Sequence, residues 1–192
     1  MNTRTPVKKA LGKQWDQLPQ ALQLHHQGTT HSEIGYLNIE YPGYLQPYYS
    51  FLHFLGALIH RRGNRIQTDV SKHMEDGLQY WDRTIKFPGN KTIQFQSFWE
   101  YAGENEFIEY VNSFIGLRMA VKVLDNNLCF QGKYFVVKLG KLIIPIPEWL
   151  IVGHTTIIEK ATSDNEIEMD FKLTHPLLGV IYRYSGKFKR DA

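Results

Sequence analysis

The sequence predicts an α+β fold, mainly β. A strongly curved antiparallel sheet or barrel of eight to ten strands cups one long apolar helix, and a short helix precedes it. Three observations lead there. From about Leu78 to Phe188, apolar and polar residues alternate with period two in segment after segment, so each segment has one dry and one wet side. Hairpin chemistry separates these segments: Glu75-Asp76-Gly77, Pro88-Gly89-Asn90, Gly103-Glu104-Asn105, Asp125-Asn126-Asn127 and Ser163-Asp164-Asn165. Only one stretch, Tyr44 to His60, is apolar around most of a helical circumference.

Taken in order, residues 1–14 are polar and basic and are expected to be loose. Asp16 then suits an N-cap, and Pro19 suits a first helical turn. Leu18, Leu22 and His25 or His26 share a helical face that Gly28 ends. Ile34 to Tyr41 reads as a strand stopped by Pro42-Gly43. The apolar helix at 44–60 has Arg61 and Arg62 in its last turn, where cations suit the helix dipole, with Gly63 closing it. Strands follow near 65–73, 78–87, 91–101, 106–111, 116–124, 127–138, 152–161, 165–174 and 179–189. The segment Leu142 to Leu150 carries Pro145 and Pro147, which forbid a central strand. It is expected to be an apolar loop or a short helix starting at Pro147.

The chain has 192 residues, enough for one well-buried core and too few for two ordinary domains. Its 22 Lys and Arg against 19 Asp and Glu leave a charge of +3 that is spread along the chain, which argues against a nucleic-acid partner. The single Cys129 excludes an internal disulfide framework and fits a reducing, cytoplasmic compartment, and its place in a strand suggests a small buried hydrophobe. The apolar run at 44–59 falls short of the roughly 18 to 20 residues that a bilayer span needs, so no membrane span is expected.

In the second half, Trp81-Asp82-Arg83 is followed by Phe87, then Phe95-Gln96-Ser97, then Pro145-Ile-Pro-Glu-Trp-Leu150. The block Phe171-Lys-Leu-Thr-His-Pro-Leu-Leu-Gly179 with Tyr184-Ser185-Gly186 closes it. This ordered set resembles the bacterial family called domain of unknown function 4166, and Leu22-Gln-Leu-His25 is similar to that domain's start. The resemblance covers about residues 15–189. Because that domain also occurs attached to dehydrogenase-like domains or membrane proteins, it implies a module accessory to a redox or membrane partner, without catalytic residues to carry over.

Arg83 stands out among the individual residues. Trp81, Ile85 and Phe87 are its partners in phase, so its guanidinium leaves the apolar face and must meet a carboxylate, a carbonyl or an anionic ligand. An ion pair with Glu109 or Glu100, or a guanidinium snorkelling to the rim, is one outcome, and a contact in a binding site is the other. His175 continues the apolar phase of Ile167 to Leu173, either as a polar contact in a pocket or as a structural residue at a strand end. Phe95, Trp99, Tyr182, Tyr184 and Phe188 line a cavity or fill a solid core. His25, His26 and His31 do not predict a metal, because adjacent helical residues point about 100° apart and no carboxylate spacing supports them. His53 and His60 share a face of the 44–60 helix. No nucleophile elbow, phosphate loop, dinucleotide fingerprint or zincin motif is present, and no cofactor is expected.

Three functional readings follow. The first is binding of an apolar small molecule or lipid in the concavity of the sheet, with the loop at 142–150 gating the mouth. Its candidate contacts are Trp81, Arg83, Phe95, Trp99, Glu109, His175, Tyr182 and Tyr184. The second is acid–base chemistry on an apolar substrate, with Arg83 stabilising an anion and His175, Asp82 or Glu109 moving a proton. The third is a protein-interaction module docking through the 44–60 helix. The expected architecture is analogous to lipocalin-like or helix-grip proteins.

Overall fold

The structure is a computed structural model that describes residues 4–140 and 142–190. Helices α1 (Pro6–Leu11) and α2 (Gln20–His25) flank a 3-10 turn at Gly12–Gln17. Strand β1 (His31–Glu40) leads to a 3-10 turn at Gly43–Leu45 and helix α3 (Gln46–Phe54). There follow β2 (Gly63–Glu75), β3 (Leu78–Phe87), β4 (Lys91–Gly103), β5 (Glu106–Tyr110), β6 (Ile115–Leu124) and β7 (Asn127–Leu139). The chain closes with β8 (Leu142–Pro147), β9 (His154–Ala161), β10 (Glu166–His175) and β11 (Gly179–Arg190).

The sheet runs β6-β5-β4-β3-β2-β1-β11-β10-β9-β7, and a further β6–β7 pairing closes it into a ten-stranded antiparallel barrel. β8 pairs with β7 alone, at Tyr134–Leu139, further along β7 from its pairing with β9 at Leu128–Gln131. Closure removes the unpaired edges that an open sheet of this length would expose. The expected hairpins form as read. Asp76-Gly77 and Asp125-Asn126 are two-residue turns in which both residues have positive φ (48° and 81°; 50° and 61°), the geometry that matches strand twist.

Alternation places side chains as the pattern requires. Trp81, Ile85 and Phe87 are buried on β3, as are Ile167, Phe171 and Leu173 on β10 and Tyr182 and Phe188 on β11. Val180 departs from this scheme and is exposed. A bulge opposite Leu173 and Thr174 inserts Ile181 as the extra buried residue and shifts the phase by one. Cys129 lies between buried Leu128 and Phe130 on β7 and is only half-buried, so it is not the core hydrophobe expected.

The helical expectations need three corrections. The long helix at 44–60 does not form, and α3 has nine residues. Gly56, at φ 78°, sends its N–H to His53 O at 2.8 Å while Ala57 N–H reaches Leu52 O at 2.9 Å, a paired C-terminal cap that stops the helix in mid-pattern. Leu58 and Ile59 then enter the core, which accounts for the apolar signal continuing past the stop. Residues 4–14, expected to be loose, contain α1. Thr5 accepts from Lys8 N–H at 3.3 Å, Pro6 stands at the helix start, and Val7, Ala10 and Leu11 are buried. Residues 1–3 lie outside the described residues. Lastly, 142–147 is a strand rather than a loop. Its prolines are tolerated because β8 pairs on one side only, and a 3-10 turn at Glu148–Leu150 follows Pro147.

The two ends of the barrel are covered differently. α1 packs on β4, β5 and β6, and α2 on β9 and β10, so the amino-terminal helices close one end. α3 and residues 57–59 cover the other. There Tyr49 Oη donates to Ile181 O and Tyr182 Oη to Ile59 O, both at 2.9 Å, and Asn112 Nδ2 donates to Leu55 O.

Candidate functional site

The barrel is not solid. Between its two covers lies a partly open cavity. Most of the wall is aliphatic and aromatic, with contributions from Leu37, Val70, Ile157, Met169 and Leu173. Trp81 stacks on Trp99 at 4.6 Å between ring centres, and Phe171 on Tyr184 at 4.4 Å. Three lining residues carry buried polar atoms with no partner: Trp81 Nε1, Trp99 Nε1 and Thr155 Oγ1. An unsatisfied buried group costs about 1–3 kcal/mol, so such atoms are rare unless water or a ligand completes them.

Two charged clusters reach this cavity. The first is the one expected around Arg83. Its Nη1 donates to Ser97 Oγ at 3.0 Å and its Nη2 to Glu109 Oε1 at 3.4 Å, while Ser97 Oγ donates to the same Glu109 oxygen at 2.7 Å. The guanidinium lies 5.0 Å from the Trp81 ring centre and 5.3 Å from that of Phe95. Arg83 and Glu109 side chains each retain 16% of their exposure, so this is the wetter part of the cavity. Arg83 is therefore both ion-paired and in the cavity, the two outcomes that sequence reasoning had treated as alternatives. Glu100 instead faces Lys138 at 3.8 Å.

The other predicted residues divide. Trp81, Phe95, Trp99, Glu109 and Tyr184 line the cavity. Burial raises the Tyr184 phenol above its ordinary value, the Arg83 charge offsetting this only in part, so it keeps its proton at neutral pH. Tyr182 does not line the cavity. It is wholly buried beside it, stacked on Tyr41 and held by its bond to Ile59. His175 is also absent from the wall; its Nδ1 accepts from Leu177 N–H at 3.2 Å in the turn after β10. Asp82 faces the other side of β3, where it accepts from Gln96 Nε2 at 2.7 Å. No residue of 142–150 lines the cavity, so the expected gating loop is not at its mouth. Glu148 instead turns inward and accepts from Thr155 N–H at 3.0 Å. It fills the room left by Gly132, where a Cβ would stand 1.9 Å from Oε2.

Sequence reasoning missed the second cluster. His25 ends α2 and His26 caps it; Glu33 comes from β1, Lys72 from β2 and Glu159 from β9. All five are buried, and Lys72 retains 1% exposure. Lys72 Nζ donates to Glu33 Oε2 at 2.9 Å and to His25 O at 2.8 Å, and it lies 4.2 Å from the Trp81 ring centre. His25 Nδ1 is 2.7 Å from Glu33 Oε2, and its Nε2 is 3.8 Å from Glu159 Oε1. His26 Nε2 is 2.5 Å from Glu159 Oε2, and His31 Nε2 is 3.2 Å from Glu33 Oε1. The two adjacent histidines thus converge on one carboxylate, with rings edge-on at 4.7 Å, contrary to the divergence expected of them.

Dehydration dominates the electrostatics here. Burial lowers His25 from 6.5 to about 4 despite the carboxylates beside it, so the ring is neutral at neutral pH. Burial likewise lowers Lys72 from 10.5 to about 8 against the pull of Glu33. Burial pushes both carboxyls up, but at Glu33 the contacts with His25, the Lys72 ammonium and the hydrogen bond from His31 win. At Glu159 the charge of His26 and its hydrogen bond win, so both acids are held below the ordinary value.

A signal for this cluster was present. Glu33 is in phase with Leu37 and Ile39, Lys72 with Ile66, Thr68 and Val70, and Glu159 with Thr155 and Ile157. Each breaks an apolar face as Arg83 does, and the same test would have found all three.

Among the described residues, no helix is long and apolar enough to cross a membrane. Neither the curated proteins nor the solved structures contain a match to this chain. One family model does match, over residues 18–188 and therefore nearly the whole barrel with its second helix. The chain belongs to the family described as Domain of unknown function (DUF4166).

Proposed function

We propose that the barrel binds a small molecule with an apolar body and a neutral polar end. The observation that carries this reading is a mainly apolar cavity inside the barrel, walled by Trp81, Trp99, Ile157, Phe171 and Tyr184 with few polar groups among them. Few polar groups in a mostly apolar pocket fix a ligand's orientation while its apolar area supplies affinity. The pairing of Arg83 with Glu109 favours an uncharged polar end such as a hydroxyl or carbonyl, because an anion would meet a carboxylate beside the guanidinium. The test is native mass spectrometry of protein purified from cells, followed by titration with a long-chain alcohol read by Trp fluorescence. Saturable 1:1 binding, lost when Met169→Trp fills the cavity, is the expected result. A protein that is always empty and indifferent to the alcohol would overturn the reading.

A second reading, acid–base chemistry on an apolar substrate, is favoured by one observation. Arg83 and Glu109 meet at 3.4 Å on the same cavity wall, within reach of one bound group. In it Glu109 moves the proton and Arg83 stabilises the developing anion. His175 has no part, because it lies off the wall.

A further inference from the structure

We infer that His25, His26 and Glu159 form a binding site for one divalent first-row transition-metal ion, with at least one coordination position open to the cavity. The inference concerns the sealed cluster and stands whether or not the cavity holds an apolar ligand.

Geometry comes first. One donor atom from each residue lies within 4.8 Å of the others, with His26 Nε2 2.5 Å from Glu159 and His25 Nε2 3.8 Å from it. Metal bonds of about 2.1 Å set neighbouring donors roughly 3.0–3.4 Å apart. The His26–Glu159 separation must therefore widen by about 0.5–0.9 Å, the His25–Glu159 separation close by about 0.4–0.8 Å and the two imidazole donors close by up to about 1.4–1.8 Å, and the ion takes the place of the His26–Glu159 hydrogen bond.

The surroundings of His25 match what a metal ligand needs, whereas the far nitrogen of His26 is buried without a partner. The far nitrogen of His25 faces the Glu33 carboxylate at 2.7 Å and the Lys72 ammonium at 2.9 Å; its bond to the carboxylate is the arrangement that fixes a ligating imidazole's tautomer and raises its basicity. Lys72 and His31 hold Glu33 in turn. Trp81 and Trp99 pack against the two imidazoles at 5.5 and 5.8 Å, fixing their planes in a dry shell.

The donor set selects the ion class. Two imidazole nitrogens and one carboxylate suit Zn²⁺, Fe²⁺ or Co²⁺ rather than Ca²⁺ or Mg²⁺, which take oxygen ligands. Three protein donors leave a position unfilled, and both His25 and Glu159 line the cavity, so that position faces whatever enters it.

The test uses the full chain, stripped with a chelator and dialysed, then titrated with Co²⁺ and Zn²⁺. Expected are one equivalent of Co²⁺ with visible d–d absorption, displacement by Zn²⁺, and imidazole-nitrogen couplings in the pulsed EPR spectrum of the Cu²⁺-loaded protein. Glu159→Gln should weaken Co²⁺ binding at least tenfold, and Glu33→Gln about tenfold through loss of the supporting carboxylate. Glu100→Gln, at the surface ion pair with Lys138, should leave it unchanged. The spectra of the unsubstituted chain need no variant to fold. No uptake of Co²⁺ or Zn²⁺, no imidazole couplings, or unchanged affinity in folded Glu159→Gln would each overturn the site and leave His26–Glu159 a closed ion pair.

Discussion

The two charged clusters of this barrel are built from the same kinds of groups and behave differently. Arg83, Ser97 and Glu109 sit on adjacent strands β3, β4 and β5 and meet at up to 3.4 Å, and Arg83 and Glu109 keep contact with solvent. His25, His26, Glu33, Lys72 and Glu159 come from a helix end and three strands, are sealed, and meet at 2.5 to 2.9 Å in most of their contacts. In the wetter cluster, water shares the work of solvating each charge, so losing one partner is tolerable. In the sealed cluster each charge depends on the others, because the desolvation cost has no other offset. A charge on an inward face thus has two fates in one barrel, and the depth of the cover over that end separates them.

Breaking the sealed cluster should have the largest effect. Lys72→Met strands Glu33 with only histidines beside it and should cost about 3–5 kcal/mol in urea unfolding. Adding Glu33→Gln to that variant should recover a large part of the loss, since both charges are then gone. A cost under about 1 kcal/mol for Lys72→Met would mean that water reaches the cluster, and the contrast between the two regions would fail.

Next in size is a pH dependence to which the sealed cluster contributes through His25, with His60 adding in the same direction. An unfolded histidine takes its proton near 6.5 and folded His25 only near about 4, so between those values the unfolded chain holds more protons and falling pH favours unfolding. At about 1.36 kcal/mol per pH unit this approaches about 3 kcal/mol. Glu33 and Glu159, whose folded acidities are depressed, extend the loss below about 4.5 as they too are protonated. Chemical denaturation at steps from pH 7 to 4, with chelator present, checks this. Stability that stays flat from pH 6.5 to 5 would show His25 to be hydrated.

The wetter cluster should yield less. Arg83→Leu leaves Glu109 with the Ser97 hydroxyl and solvent, so the expected loss in melting experiments is about 1–2 kcal/mol, with weaker binding of the cavity ligand. Ser97→Ala removes one bridging hydroxyl and should cost about 1 kcal/mol. If Arg83→Leu costs as much as Lys72→Met, the ranking by solvent access is wrong.

Much of the fold was legible residue by residue. The strand at 78–87 and the hairpins at Asp76-Gly77 and Asp125-Asn126 follow from alternation and turn chemistry, both of which act over a few neighbours. The helix reading failed at Gly56. An apolar pattern continues through the cap because Leu58 and Ile59 are buried as extended chain, and hydrophobicity alone does not distinguish that from another helical turn. Of the candidate site, the half around Arg83 was readable because its partners lie across adjacent hairpin strands, at registers that the turns define. The half around His25 was not assembled, although each inward charge was visible as a break in phase.

By itself, then, the sequence determined which side chains face inward, since that depends only on alternation along each strand. Tertiary structure alone decided that the sheet closes on β6 and β7, that its interior holds a cavity rather than a solid core, and that His26 meets Glu159 across 133 positions of chain. The reason is physical. Facing is a local property of the pleat, whereas closure and convergence depend on bulges, strand stagger and the seating of α2 over one end. These arise from interactions among all ten strands together and leave no periodic mark on any one of them.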